Sequence, residues 1–415
     1  MGRLVAARLR SLGLLFALAL AACAPGHSVL PGYTGSAAAA YGALQPDHGA
    51  SSLPGGWLPC GFPAADGEGG DALLATRTHL AQCTVAIDRT RVQGDSVTAA
   101  ALYGLHPSDI ADAYNFPSTN AGMTVAIVDA FDDPRAESDL GVYRAKFGLP
   151  PCTSANGCFR KLNQTGKAGP YPRLDRPWAY EMALDTEMVS AVCPRCSILL
   201  VEANSSNIDD LGAAVDTAVA QGARIVSNSY YAHEWPGETA EDVHYNHPGV
   251  AITASSGDVS AQFGWGGEGD AIARSKGPYY PATSPYVTAI GGTSLRGVLG
   301  AWTQTPWRFE GKGCSRYERR PSFQPAVCPT RAAVDMAVEA NPETGVAMYS
   351  KSAGGWIVGG GTSVGAPLIA AAYALSGRPE GPAFSYAHPA AFRGVGVPGF
   401  DLVTGLGSPS GVIGL

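Results

Sequence analysis

Two strings in this sequence carry residue types that can do nucleophilic chemistry. The first is Gly359-Gly-Gly-Thr-Ser363-Val-Gly-Ala-Pro367. A glycine-rich loop runs into Ser363, and the apolar stretch 364–375 predicts a helix that follows at once. The serine hydroxyl then sits at a helix N-terminus, where oriented N–H groups favour developing negative charge. Position alone would equally make Ser363 a helix N-cap. The second string is Glu181-Met-Ala-Leu-Asp185, inside a predicted helix from Trp178 to Val192. Spacing i,i+4 sets both carboxyls on one face with Cβ atoms about 5–6 Å apart. Like charges that close resist ionising together, so the pair is expected to hold one proton in acid. One carboxyl can then accept a serine proton while the other orients and shares it. A solvated acidic face is the plain alternative. The apolar turns around the pair (Met182, Ala183, Leu184, Met188, Val189) argue against it, and Glu187 lies off that face.

The usual base for a serine nucleophile is a histidine at a helix start, and none of the eight His sits in such a motif. His244 and His247 have helical spacing, but the sequence offers no third ligand that would make them a metal site. The elements that must position the serine and the two acids alternate from about Leu105 onward. Buried strands are predicted at 124–129, 197–202, 224–229, 250–255 and 286–290, with helices at about 135–147, 178–192 and 208–221. Short apolar strands alternating with helices predict an α/β fold with a mostly parallel central sheet flanked by helices. Such sheets carry their functional groups at the carboxyl ends of the strands.

With these elements in order, Gly361-Thr-Ser363-Val-Gly-Ala-Pro367 resembles the serine motif of subtilisin-like peptidases. Together with Trp178-Ala-Tyr-Glu181-Met-Ala-Leu-Asp185 it resembles the sedolisin family, the serine-carboxyl peptidases, across roughly residues 105–415. The resemblance implies a subtilisin-like fold and an acid-acting Ser-Glu-Asp triad of Ser363, Glu181 and Asp185. It also implies that Asp258, in Ser255-Ser-Gly-Asp258, stands where subtilisins use an asparagine to bind the oxyanion. That role requires a protonated Asp258. Asp129 ends a strand much as the catalytic aspartate of subtilisins does; without a histidine partner it reads as a structural or outer carboxyl. The family's calcium site would draw on Asp401 in Gly399-Phe-Asp401, but the upstream aspartate is missing and Arg393 stands near its place. Losing one carboxylate weakens a hard-cation site. Where the family has glycine after its Ser-Tyr pair, this chain has Tyr231, a residue that would narrow a subsite or point outward. The family's long prodomain has no full counterpart in residues 24–100.

Composition fits this reading. The chain has 415 residues, 15% of them charged, and a net charge of −7. A nucleic-acid footprint is therefore not expected. Arg3, Arg8 and Arg10 precede an apolar run, residues 12–22, too short to span a bilayer. Leu20-Ala-Ala-Cys23 then reads as a lipobox, with a lipid on Cys23. The expected organisation is a signal peptide at 1–23, a tether and short segment at 24–100, and a peptidase domain at 101–415. The protein would be extracytoplasmic, secreted or lipid-anchored at a bacterial envelope, monomeric, and active on proteins or peptides. An anchored binding protein keeping the fold without turnover is the rival reading. Setting Cys23 aside leaves eight Cys, an even number suited to an exported chain. Sequence order suggests Cys152–Cys158, Cys193–Cys196, Cys314–Cys328 and Cys60–Cys83.

Overall fold

The structure, a computed structural model, describes residues 57–59, 79–118, 122–258 and 277–415. The export signal, Cys23, Cys60 and most of the 24–100 segment lie outside these residues.

Seven strands form the main path of the central sheet. From edge to edge they are Ala301–Pro306, Thr288–Val298, Ala251–Ser255, Ile225–Asn228, Thr124–Ala130, Ser197–Ala203 and Phe159–Asn163. An eighth, Met336–Glu339, pairs in parallel with Thr288–Val298. Only the edge strand Ala301–Pro306 is antiparallel. The predicted α/β fold with a mostly parallel sheet is therefore what the chain adopts. Val125, Ile127, Val128, Leu199, Leu200, Ile225 and Ile252 are fully buried, as expected for strands covered on both faces.

Strand order reverses around Thr124–Ala130. The next two strands of the chain, Phe159–Asn163 and Ser197–Ala203, lie on one side of it, and Ile225–Asn228 lies on the other. This switch opens a crevice at the carboxyl ends of the strands. Asp129, Ser229 and the 255–258 turn all lie there. The helix Arg176–Val192 packs against both the strand Thr124–Ala130 and the helix Gly365–Ser376. Asp175 starts the first of these helices by accepting from Trp178 N, and Arg176-Pro177 suits a first turn. From Glu181 to Val192 every residue of this helix is buried, so its acids are core residues. Glu187 too is inside, accepting from Tyr349 N at 3.0 Å.

The three disulfides Cys152–Cys158, Cys193–Cys196 and Cys314–Cys328 are present. Cys83 is also disulfide-bonded. Regular structure begins earlier than Leu105. Gln82–Cys83 pairs antiparallel with Tyr230–His233, and Ala86–Gln93 pairs antiparallel with Gly355–Gly360. Short strands hold no long periodic signal, and this stretch lies between segments rich in Ala, Gly and Pro, so the sequence pattern does not reveal it.

Candidate active site

Ser363 is positioned by a break in the backbone. The strand Gly355–Gly360 ends, Gly361 adopts φ +92°, one 3-10 turn spans Thr362–Val364, and the helix Gly365–Ser376 begins. A Cβ on Gly361 would lie 1.9 Å from the Thr84 carbonyl oxygen and 2.6 Å from Asp258 Oδ2. Only glycine fits there, both for its φ and for that space.

Glu181 and Asp185 reach this point from the buried helix. The Glu181 Oε2 atom accepts from Thr84 N and from Val85 N, each at 2.7 Å. Asp185 Oδ1 accepts from Ser229 Oγ at 2.8 Å, and that hydroxyl also lies 3.5 Å from the Ser363 carbonyl oxygen. Burial raises the pKa of both acids. For Asp185, the nearby Asp129 and Glu181 raise it further. For Glu181, hydrogen bonds from Ser363, Val85 and Thr84 pull the other way. Burial thus favours the neutral form of both carboxyls, while the hydrogen bonds to Glu181 favour its charged form. Asp129 makes a third member of the cluster. It is fully buried, neither of its oxygens has a hydrogen-bond partner among the described residues, and burial, Glu181 and Glu202 raise its pKa.

Asp258 faces the same point from the other side. Its Oδ1 accepts from Thr362 N at 3.0 Å and from Thr362 Oγ1 at 2.8 Å. Its Oδ2 is buried with no partner among the described residues. Burial raises its pKa to about 7, against the pull of the two Thr362 bonds. A carboxyl so placed is neutral in acid and has a proton to donate from Oδ2. The structure thus brings together Ser363, Glu181, Asp185 and Asp258, all four predicted from sequence, and adds Ser229, Thr362 and the incoming Thr84-Val85.

Comparison with known proteins bears on the family and the fold. The subtilase family profile, Peptidase_S8, matches residues 178–388, about half of the chain. Kumamolisin from Bacillus sp. (strain MN-32) is 29% identical, the match covering 78% of this chain and 66% of that protein. This chain belongs to the subtilase family. Xanthomonalisin from Xanthomonas sp. (strain T-22) is 24% identical over 76% of this chain and 44% of its own length. The sedolisin-like chain therefore spans less than two thirds of these curated relatives. Pseudomonas sedolisin, a serine-carboxyl proteinase solved with two molecules of pseudo-iodotyrostatin, superposes with TM-score 0.62 at 23% identity. That match covers 75% of this chain and 96% of that structure, and it shows the shared fold.

Other sequence-derived candidates lie outside this cluster. Asp401 is committed to its own turn: Oδ1 accepts from Val403 N and Thr404 N, and Oδ2 from Thr404 Oγ1 at 2.6 Å. The Arg393 guanidinium bonds the Ala113 carbonyl. Among the described residues no three acidic, His or Cys side chains gather as a metal site. Asp401 thus spends three hydrogen bonds on its own turn and stands without a second carboxylate beside it among the described residues. His244 and His247 both meet Asp216, at 2.6 and 2.9 Å, a hydrogen-bonded cluster on the helix Ile208–Ala220. Tyr231 points inward. Its hydroxyl donates to Gln82 Oε1 at 3.0 Å, and its ring lies 4.6 Å from that of Tyr279. A Cβ on Gly257 would lie 3.0 Å from it, so the ring fills the space beside the Asp258 turn.

Proposed function

We propose that this chain is an exported serine peptidase that hydrolyses peptide bonds in acid through Ser363, Glu181, Asp185 and Asp258. The observation that carries this reading is the buried convergence of three carboxyls around one serine at a strand-to-helix turn. Ser363 Oγ attacks the carbonyl carbon of the substrate. Glu181 takes its proton and returns it to the leaving amine. Asp185, whose neutral form burial favours, supports Glu181. Protonated Asp258 donates to the oxyanion of the tetrahedral intermediate. No helix among the described residues is long and apolar enough to cross a membrane; lipidation of Cys23 is the proposed anchor.

Cleavage of a denatured protein by the soluble portion, compared with Ser363→Ala across acid to neutral pH, tests the reading. Ser363-dependent cleavage in acid is expected. No such cleavage at any pH would leave the anchored binding protein as the function.

Asp258 gives a sharper pH test. Its neutral form is the donor and its pKa is about 7, so wild-type kcat should fall about tenfold per pH unit above that value. Asp258→Asn keeps an acceptor for Thr362 and a neutral donor at all pH values. That fall should disappear in the variant's kcat profile; an unchanged alkaline limb would remove Asp258 from the oxyanion role.

Tyr231 predicts selectivity. With its ring beside the Asp258 turn, small residues should be favoured on the acyl side of the cut bond. Tyr231→Gly should raise kcat/KM for peptides with Leu or Phe there by about tenfold or more, the worth of burying a large apolar side chain. Equal gains for alanine peptides would contradict this.

A further inference from the structure

Asp258 stands on a turn that other segments must hold in place. The strand Ala251–Ser255 ends just before it. Ser256 N donates to the Ile290 carbonyl at 2.9 Å, on the strand Thr288–Val298. Thr362 holds the middle: Gly257 N donates to its Oγ1 at 3.2 Å, and its own N–H and hydroxyl donate to Asp258 Oδ1. The remaining support is Glu310-Gly311. Gly311 N donates to the Gly257 carbonyl at 2.6 Å, and Glu310 pairs antiparallel with Asp258 itself. This approach is close. A Cβ on Gly311 would lie 2.1 Å from the Ser256 carbonyl oxygen, so only glycine permits it.

Glu310 and Gly311 need an anchor in turn. They lie between the strands Ala301–Pro306 and Cys314–Arg319 and belong to neither. The Glu310 side chain supplies the anchor. It is fully buried, and its Oε2 accepts from Gly292 N on Thr288–Val298. Trp307 N donates to the Gly292 carbonyl at 2.9 Å, so one residue of that strand grips the stretch twice. A Cβ on Gly291 would lie 2.8 Å from Glu310 Oε2, and one on Gly292 would lie 3.4 Å from it. Two adjacent glycines thus leave the room that the carboxyl fills. Its Oε1 lies 3.9 Å from Lys312 Nζ.

The Glu310 carboxyl closes a ring of contacts. From Gly292 the tie runs to the 310–311 backbone, then to Gly257 and Asp258, and returns through Ser256 to Ile290 on the strand where it began. Burying a carboxyl there is costly. An apolar side chain could fill the same room, but it would leave Gly292 N unpaired and the 310–311 stretch untied.

We propose, resting on the peptidase reading above, that Glu310 is a positioning residue for the reaction. It touches no substrate. It sets the place of the Asp258 carboxyl through the Gly311–Gly257 contact. Asp258 Oδ2 has no hydrogen-bond partner among the described residues, so its aim depends on where the turn stands. Only the transition state draws on that aim, because the oxygen it serves becomes an anion only there. The expected signature is a loss in kcat with KM unchanged.

The test is a double-mutant cycle on the full chain, read by hydrolysis in acid of a fluorogenic peptide with alanine on its acyl side. Glu310→Met keeps the volume and removes the acceptor for Gly292 N. It should lower kcat about 10- to 100-fold, the effect of a displacement of up to about 1 Å, with KM changed by less than about twofold. Glu310→Gln keeps an acceptor oxygen and should retain kcat within about threefold. In an Asp258→Ala background the donor is already gone, so Glu310→Met should cost no more than about twofold further. A residue that serves only the fold would show its cost in both backgrounds. Should Glu310→Met fail to give a cooperative melting curve, Gly311→Ala displaces the same contact and should show the same kcat loss and the same background dependence. Equal losses with and without Asp258, or a loss carried by KM, would overturn the proposal while Ser363-dependent hydrolysis by the wild type keeps the peptidase reading standing. Absence of Ser363-dependent hydrolysis in the wild type would overturn the two together.

Discussion

Glu181→Gln should fold normally and lose about 10³-fold or more of peptidase activity at every pH, the upper part of the range for a lost general base. Gln keeps a carbonyl oxygen that can accept from Thr84 N and Val85 N, as Glu181 Oε2 does. It cannot take the serine proton. Asp185→Asn should behave differently. Asp185 is a buried acid held in its neutral form by burial and by Asp129 and Glu181. Asn is neutral too, and its oxygen can still accept from Ser229 Oγ. The expected cost is about 10²-fold in kcat with a displaced acid limb in the pH profile. Single-turnover rates on one peptide, with melting curves to confirm folding, separate the two roles. Equal losses would mean that the acids share one role. A loss under tenfold for Glu181→Gln would place the base elsewhere.

The four converging side chains were legible because each rests on a local string. Glu181 and Asp185 share a helical face by spacing alone, and the apolar turns around them already spoke against a solvated surface; the buried helix bears this out. Asp258 follows a strand that an apolar run had marked, and parallel sheets carry such ends to one edge; Ser363 follows a glycine-rich stretch read as a loop, which the structure forms as the strand Gly355–Gly360. The neighbours were not legible. Ser229 enters through strand order, which no single strand encodes. Thr84 and Val85 lie 97 and 96 residues from Glu181 in sequence, in the two-residue link between the strands Gln82–Cys83 and Ala86–Gln93. Such contacts are set by pairing register, and short strands carry little of it in their composition. Cys83-Thr-Val-Ala-Ile87, a β-branched apolar run beside a cysteine, was the one signal available. Asp401 was ambiguous for the opposite reason. An aspartate followed by Leu-Val-Thr-Gly has the makings of a ligand turn and of a self-bonded turn alike, and its oxygens go to the second.

The protein should be more stable in acid than at neutral pH, with Tm about 5–10 °C higher at pH 4 than at pH 8. The cause is the number of carboxyls buried as neutral groups. Burial raises Asp133 to about 6, Glu202 to about 8 and Glu339 to about 8. Lys161 draws Glu202 down, as do the Leu295 N–H and the Thr344 hydroxyl for Glu339, without cancelling the effect of burial. Glu310 is raised further, again by burial first. In the unfolded chain such groups titrate near 4. Between that value and their folded values the native state binds more protons than the unfolded one, so the free energy of unfolding falls as pH rises. The stabilisation is complete below about pH 4 and is lost through the window that ends near 8 for Glu202 and Glu339. Acid repulsion among cations offsets little of this, because only 28 Lys and Arg are spread over 415 residues. Glu339→Gln isolates one contribution: it keeps the acceptor for the Leu295 N–H and removes one proton from the linkage. Its Tm should fall less steeply than the wild type's between pH 5 and pH 8. A wild-type Tm that rises over this range would show that these carboxyls are paired as anions in the folded chain, and would remove the acid-adapted core on which neutral Asp185 and Asp258 depend.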